Sequence, residues 1–475
     1  MRRLVASITA AAAVTLLAAG TARAATTPPT KITIGGTAAG TLPGRYLGFS
    51  FPLDALAQAD ITTGTLPQLM KTLGPGVMRW GGNPENATFW TSTGETAPSW
   101  AEFTFTPAHL QRLKTLADLT GWQAIIGVNI LHKDPARAAD EARSAQRILG
   151  SRLLAIEIGN EPNYYPDYTP EQYYADFETY RAAMVKAAPG VPVTGPSVGR
   201  VPVAADWLTS FANNEKRHVD VAALATHFYP ACARNNPAAI TIPALLSTDY
   251  RSAVNDRTSL LASLAKGLSR PALLTESNTV SCAGRQGVSD VFASALWGVD
   301  NQLLVAQNGV SGMYLNGDVS GVCASPYYTP VCPATPADDS AGRLRAQPVY
   351  YAQLLVHALG TGAFLPVTNN DLTDLRVYAI RNGTRLRLVI VDVDDPASTT
   401  ARKITFALPA SYHHGSLYRL SAPSLAATTG VTLGGHHVGD NGTFSGPTLT
   451  TLPVNGRTLT VSVPAGTATV ISLTP

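Results

Sequence analysis

Ala155-Ile156-Glu157-Ile158-Gly159-Asn160-Glu161-Pro162 is an apolar, strand-like run that ends in an acid, and Leu273-Leu274-Thr275-Glu276-Ser277-Asn278 repeats the pattern downstream. Around these two stretches, from Tyr46 to Leu359, short apolar runs alternate with amphipathic ones, the signature of βα units and a parallel sheet. Eight strands are predicted: Tyr46 to Phe51, Val77 to Trp80, Gln123 to Asn129, Leu153 to Gly159, Pro192 to Gly195, Val219 to His227, Ala272 to Thr275 and Gly312 to Asn316. Helical stretches fall between them, for example Pro107 to Thr120, Pro135 to Leu149, Pro170 to Ala188 and Ser289 to Ala306. Several open on a proline, whose missing N–H is no loss in a first helical turn. Eight such units in roughly 310 residues predict a closed (β/α)8 TIM barrel over 46-361, not an open doubly wound sheet.

After Gly362 the pattern changes to a period of two. Val377-Tyr378-Ala379-Ile380 and Leu386-Arg387-Leu388-Val389-Ile390-Val391 flank Asn382-Gly383, and Leu459-Thr460-Val461-Ser462-Val463 follows Asn455-Gly456. Both Asn-Gly pairs are hairpin signals, because that dipeptide accepts the left-handed backbone of a tight turn. An antiparallel β-sandwich is therefore predicted over 362-475, joined by a strand from Lys31 to Gly35 within the 25-45 segment. There is no internal repeat of fixed period, and the Thr/Pro-rich patch around 330 to 340 reads as a surface loop.

Met1-Arg2-Arg3, the apolar stretch from Leu4 to Leu17 and then Ala22-Arg23-Ala24 read as a secretory signal peptide over 1-24. Arg2, Arg3 and Arg23 are its only charges. Removing it takes Lys+Arg from 35 to 35 − 3 = 32 against 32 Asp+Glu, a formal net charge of zero. A chain with no net charge does not imply nucleic acid or a heavily sulfated polyanion as partner. No later segment is long and apolar enough to span a bilayer, so no membrane partner is expected either. Cys232, Cys282, Cys323 and Cys332 allow three disulfide connectivities in an exported chain. They are too widely spaced, and too poor in neighbouring histidines, for a zinc cluster. Cys323 with Cys332 closes a short loop, and Cys232 with Cys282 joins the segments after strands six and seven, which are neighbours around a barrel. No metal or other cofactor is expected, and the chain is read as a monomer.

The chemistry lies at the strand ends. Barrel proteins build their sites from the loops at the C-terminal ends of the strands, and Glu161 and Glu276, 276 − 161 = 115 residues apart, stand there after strands four and seven. Two carboxylates so placed suit the cleavage of an acetal: one protonates the leaving oxygen while the other attacks the anomeric carbon from the opposite face. Strand alternation also points Glu157 into the barrel, where an unpaired charge is unfavourable, and Arg79 on strand two is the candidate cation. Arg79 pairing only with Glu157 and Arg79 bonding directly to Glu276 are equally open. His227 is read as a core histidine without a proton-transfer role.

Gly159-Asn160-Glu161-Pro162, Arg79-Trp80-Gly81-Gly82-Asn83, His227-Phe228-Tyr229-Pro230 and Leu274-Thr275-Glu276-Ser277-Asn278 together resemble glycoside hydrolase family 79, of clan A. The resemblance covers about 31 to 475 and implies a retaining β-glucuronidase. It makes Glu161 the acid/base and Glu276 the nucleophile, has Asn160 donate to the sugar 2-hydroxyl, and has Tyr229 hold the nucleophile ionised and aimed. A glucuronide carboxylate also needs donors. Backbone N–H groups of the loop Thr279 to Gly287, with Ser281, are candidates, as are Tyr327 or Tyr328, and Asn83 and Arg79 complete the expected substrate-binding set. Pro52 departs from the family pattern, in which a carboxylate often stands there. The expected partner is a glucuronide or a glycan bearing glucuronic acid. Another β-linked sugar such as a glucoside or xyloside, an endo-acting enzyme, and a carbohydrate-binding protein without turnover are the alternatives.

Overall fold

The computed structural model describes residues 30–199, 204–217, 219–323, 325–368, 373–397 and 400–475. The predicted signal peptide over 1-24, with Arg2, Arg3 and Arg23, lies outside them. Eight parallel strands close into a barrel: β1 (Leu47–Pro52), β2 (Val77–Gly81), β3 (Gln123–Val128), β4 (Leu153–Ile158), β5 (Val193–Val198), β6 (Ala223–Phe228), β7 (Ala272–Ser277) and β8 (Gly312–Asn316). All eight coincide with predicted strands. Each pairs with its sequence neighbours, and β8 closes the ring on β1 through Met313↔Leu47 to Asn316↔Ser50.

Side-chain alternation divides the barrel interior into layers. Val77, Ile125, Ala155, Ala225, Leu273 and Tyr314 form an apolar cluster there. Two residues further along the same strands stand Arg79, Gly127, Glu157, His227 and Asn316, so the layer above is polar. Simple alternation from Leu273 would put Thr275 in that layer. Instead the pairing of β6 with β7 shifts register, Thr226 opposing Leu274 and His227 opposing Glu276. One extra residue in β7 therefore turns Glu276 to the inside, the usual effect of a bulge on every later side chain.

The C-terminal part holds the further strands β9 (Leu375–Asn382), β10 (Arg385–Asp392), β11 (Arg402–Tyr412), β12 (His414–Ser421), β13 (Gly456–Val463) and β14 (Thr467–Thr474). The larger sheet carries β9-β10-β14-β12 in that order, and the smaller one pairs β11 with β13. Thr30–Ile34 joins the smaller sheet, parallel to β11. Ile32, Leu388, Phe406, Val461 and Ile471 fill the space between the sheets. The other face of the larger sheet packs on the barrel, so Tyr378, Ile380, Val389 and Val391 belong to the barrel's own core cluster. A sheet covered on both faces explains why β9 and β10 read as nearly continuous apolar runs.

Two expectations are corrected. Asn382-Gly383 does turn a hairpin, β9 with β10. Asn455-Gly456 does not: Thr450–Leu452 before it pairs with β12 in the larger sheet, whereas β13 after it pairs with β11 in the smaller one. The dipeptide carries the chain between sheets. The patch at 330 to 340 is not a plain loop, because Val331–Pro333 is buried and pairs antiparallel with Leu344–Ala346, and Pro336–Ser340 is helical. Both disulfides form as expected, Cys232–Cys282 and Cys323–Cys332, each with Cα atoms 5.3 Å apart. No helix among the described residues is long and apolar enough to cross a membrane.

Candidate active site

A cavity of about 930 Å³ opens at the C-terminal end of the barrel strands, and Glu161 and Glu276 both line it. Glu161 follows β4 with a left-handed backbone, φ 48°. Its N–H donates to Ser197 O at 3.1 Å, which ties that strained turn to β5. Gly199 makes room beside it, since a Cβ there would sit 2.3 Å from Glu161 Oε1 and 2.9 Å from the Tyr164 ring. Glu276 accepts from three donors: Arg79 Nη1 at 2.8 Å, Tyr229 Oη at 2.9 Å and Asn316 Nδ2 at 3.2 Å. Burial, and then the charge of Glu276, hold the Tyr229 phenol well above its ordinary pKa, so it stays a neutral donor.

Arg79 is fully buried below the cavity and makes both proposed bonds at once. Besides Glu276 it reaches Glu157 Oε1 from Nε at 2.9 Å and from Nη2 at 2.5 Å, Asn160 Oδ1 at 2.7 Å and Ser50 Oγ at 3.2 Å. Burial opposes its charge, but Glu157 and Glu276 outweigh that and push its pKa up. Burial works to raise the Glu157 carboxyl as well. Arg79, His227 and the Ser197 hydroxyl, 2.6 Å from Glu157 Oε2, outweigh burial and hold it below the usual range. Arg79 is thus a positioning residue that fixes the angle of Glu276, and a substrate does not reach it. Asn160 is also buried. Its Oδ1 is taken by Arg79, its Nδ2 donates to Asn83 Oδ1 at 3.2 Å, and it is not among the residues that line the cavity. Asn83 itself lines the cavity.

His227 departs from its reading as a satisfied core residue. Its Nδ1 lies 3.1 Å from Glu161 Oε1 and 3.9 Å from Glu276 Oε2, and Nε2 has no hydrogen-bond partner among the described residues. Nothing local in sequence distinguished it. Gly199 was missed for the same reason, and so was Glu85, fully buried with both carboxyl oxygens unpartnered among the described residues. Glu161, His227 and Glu276 each present a ligand atom within 4.8 Å of the other two, a spacing that fits a divalent cation. Arg79 already places a positive charge 2.8 Å from Glu276, which disfavours a second one there.

The expected carboxylate receptor is brought together only in part. Tyr328 lines the cavity and accepts from Asn316 Nδ2 at 3.2 Å, whereas Tyr327 is not among the lining residues and bonds through its N–H to Ala283 O. Tyr327 is therefore removed from the site. Ser281 lines the cavity, but its hydroxyl is spent on Ala231 O at 3.0 Å. Next to it Cys282 and Ala283 both adopt positive φ, 61° and 71°. Such conformations are unfavourable for residues with a Cβ, and here the Cys232–Cys282 disulfide and the Cys232↔Ser281 bridge hold them. Among the described residues no acceptor pairs with the N–H of Cys282 or Ala283.

Fold and site together define a class: a closed (β/α)8 barrel that holds two carboxylates in a cavity at the C-terminal ends of its strands and is followed by a β domain. Residues 377–470 match the glycosyl hydrolase family 79 C-terminal beta domain. No curated protein matches the chain in sequence. Among solved structures it is similar to a 4-O-α-L-rhamnosyl-β-D-glucuronidase from Fusarium oxysporum 12S, with a TM-score of 0.75 at 19% identity over 93% of this chain and 100% of that one. It is also similar to a GH51 arabinofuranosidase from Xanthomonas axonopodis pv. citri, at TM-score 0.69 and 12% identity over 93% and 99% of the two chains. A GH39 enzyme from the same organism gives TM-score 0.58 and 15% identity over 94% and 97%.

Proposed function

We propose that the protein is a secreted exo-β-glucuronidase that retains anomeric configuration. The observation that carries the reading is the approach of the Glu161 and Glu276 carboxylates to within 4.8 Å in one cavity. That suits a nucleophile and an acid/base acting on one bond, because inverting enzymes hold their carboxyls roughly 6.5 to 9.5 Å apart to seat a water. In the first step Glu276 Oε attacks the anomeric carbon, the C–O bond to the leaving group breaks, and Glu161 gives its proton to the departing oxygen. The ester so formed has no negative charge. In the second step Glu161, relieved of that neighbouring charge, takes a proton from water as the water oxygen attacks the same carbon and frees Glu276. Arg79, Tyr229 and Asn316 keep Glu276 aimed throughout, and His227 steadies Glu161.

Two features support a glucuronide. Cys282 and Ala283 line the cavity and their N–H groups have no acceptor among the described residues, so they are available to a carboxylate, and Tyr328 lines the same cavity. The family 79 match over 377–470 and the likeness to a rhamnosyl-glucuronidase agree with it. A neutral-sugar clan A glycosidase is the second reading, favoured by the acidic side chain of Asp318 on the cavity wall, which opposes a substrate carboxylate whenever it is ionised. The ratio of kcat/KM for an aryl β-D-glucuronide to that for the matching glucoside, at pH 5 to 6, decides between them. A carboxylate receptor left unpaired by the glucoside predicts a ratio of at least about 100, or about 3 kcal/mol. A ratio near one or below moves the assignment to a neutral sugar.

A further inference from the structure

A second cavity, of about 440 Å³, lies beside the catalytic one across the wall formed by residues 83 to 88. Asn83 and Pro84 face the catalytic cavity and Thr88 faces this one. Phe89, Trp90, Pro98 and Trp100 give it apolar walls, and Thr96 and Glu141 line it as well. Trp100 is held flat by stacking on His132, with ring centroids 3.6 Å apart and planes 11° from parallel. Arg137 lies over the Phe89 ring at 4.2 Å and is engaged by Trp90 O at 2.8 Å, Glu95 at 2.7 Å and Asp134 at 3.1 Å. Of the carboxyl groups that line the cavity, Glu95 and Asp134 are thus paired with Arg137 and Glu141 is not. Glu141, on the helix Pro135–Leu149, is only 4% exposed, and its Oε1 has no hydrogen-bond partner among the described residues. A buried carboxyl oxygen without a partner destabilises the fold. Burial, then Asp140 nearby, keeps that carboxyl neutral, able both to donate and to accept.

We propose that this cavity is a second ligand site, and that its ligand is a neutral pyranose residue. A pyranose offers an apolar C–H face to the fixed Trp100 ring and hydroxyls to Glu141 and Thr96, while Thr88 Oγ1, whose hydrogen goes to Pro84 O at 2.8 Å, can only accept. Cavities of this size and mixed lining are typical small-ligand sites. Glu95 and Asp134 are two acids against the single cation Arg137, so the rim keeps a net negative charge that disfavours glucuronate. The inference is independent of turnover and of the choice of catalytic substrate.

The test uses the full chain carrying Glu276→Ala, so that no substrate is consumed, and titrates it calorimetrically with D-glucose, D-galactose, D-xylose, L-rhamnose, D-glucosamine and D-glucuronate. At least one neutral sugar should bind with Kd of about 10 mM or tighter. Trp100→Ala should weaken it at least about tenfold. Glu141→Leu should do the same while melting no lower than its parent, since it removes an unpaired buried carboxyl. The same two substitutions in the chain with Glu276 intact should leave aryl glycoside turnover within about threefold, which separates this cavity from the catalytic one. If no neutral sugar binds, if binding survives both substitutions, or if only glucosamine or glucuronate binds, the proposal is wrong.

Discussion

Tyr229→Phe removes one oxygen atom from the site and leaves the ring that packs 6.1 Å from Tyr328. In the parent, Glu276 Oε1 accepts from Tyr229 at 2.9 Å and from Asn316 at 3.2 Å, while Oε2 accepts from Arg79 at 2.8 Å. After the substitution Oε1 keeps only its longer, amide partner. A hydrogen bond to a charged acceptor contributes about 1.5 to 3 kcal/mol, so kcat/KM should fall by about 10- to 150-fold. The loss should appear chiefly in kcat with activated aryl glucuronides, because the phenol aims the nucleophile and does not hold the ground-state sugar. The assay is steady-state kinetics at pH 5 to 6, with a melting curve to show that the variant is folded. A fall of less than about threefold would mean that Arg79 and Asn316 alone position Glu276, and that the phenol serves only as packing.

Three further outcomes are expected. Glu161→Ala should lose little rate on substrates whose leaving group needs no protonation, at least about 100-fold more on poor ones, and should accumulate glycosyl-enzyme; equal losses on both would remove Glu161 from the acid/base role. Cys282→Ser frees the loop whose two N–H groups are proposed to hold the carboxylate, so kcat/KM for the glucuronide should drop at least about tenfold while the glucoside changes by less than about threefold; equal effects would dissociate that loop from carboxylate recognition. Asp392, fully buried in the β domain, is pushed up to about 6, first by burial. An acid raised above its unfolded value of about 3.9 contributes stability that is present below that pH and is lost as pH rises through about 6. Asp392→Asn should therefore gain on the parent by about 2 kcal/mol between pH 4 and 7 in urea unfolding, and a pH-independent difference would contradict the shift.

Much of this was legible because it is written locally. Each barrel strand is a short apolar run between punctuated helices, so all eight could be read one at a time. Glu161 and Glu276 were visible because each ends such a run, and the inward direction of Glu157 followed from alternation along β4. What escaped depends on contacts between distant segments. The bulge that turns Glu276 inward exists only in the pairing of β6 with β7. His227 becomes a site residue because β6 brings its ring to Glu161, 66 residues away in sequence. Gly199 matters only through the two side chains that lean on it. Tyr327 and Tyr328 are adjacent in sequence, and nothing in it tells which one faces the cavity. Asn455-Gly456 turned the chain as its composition requires, but the partner sheet of each flank is a tertiary choice.

The central claim is that Glu276 is the nucleophile of a two-step displacement, and its most direct measurement is Glu276→Ala assayed with and without added sodium azide on an aryl β-glucuronide, with the product examined by NMR. The account predicts near-complete loss of turnover without azide. With azide, turnover returns and the product is the α-glycosyl azide, of inverted configuration, because the small anion enters the space the carboxylate left. Near-normal turnover without azide, or a rescued product of unchanged configuration, would contradict it.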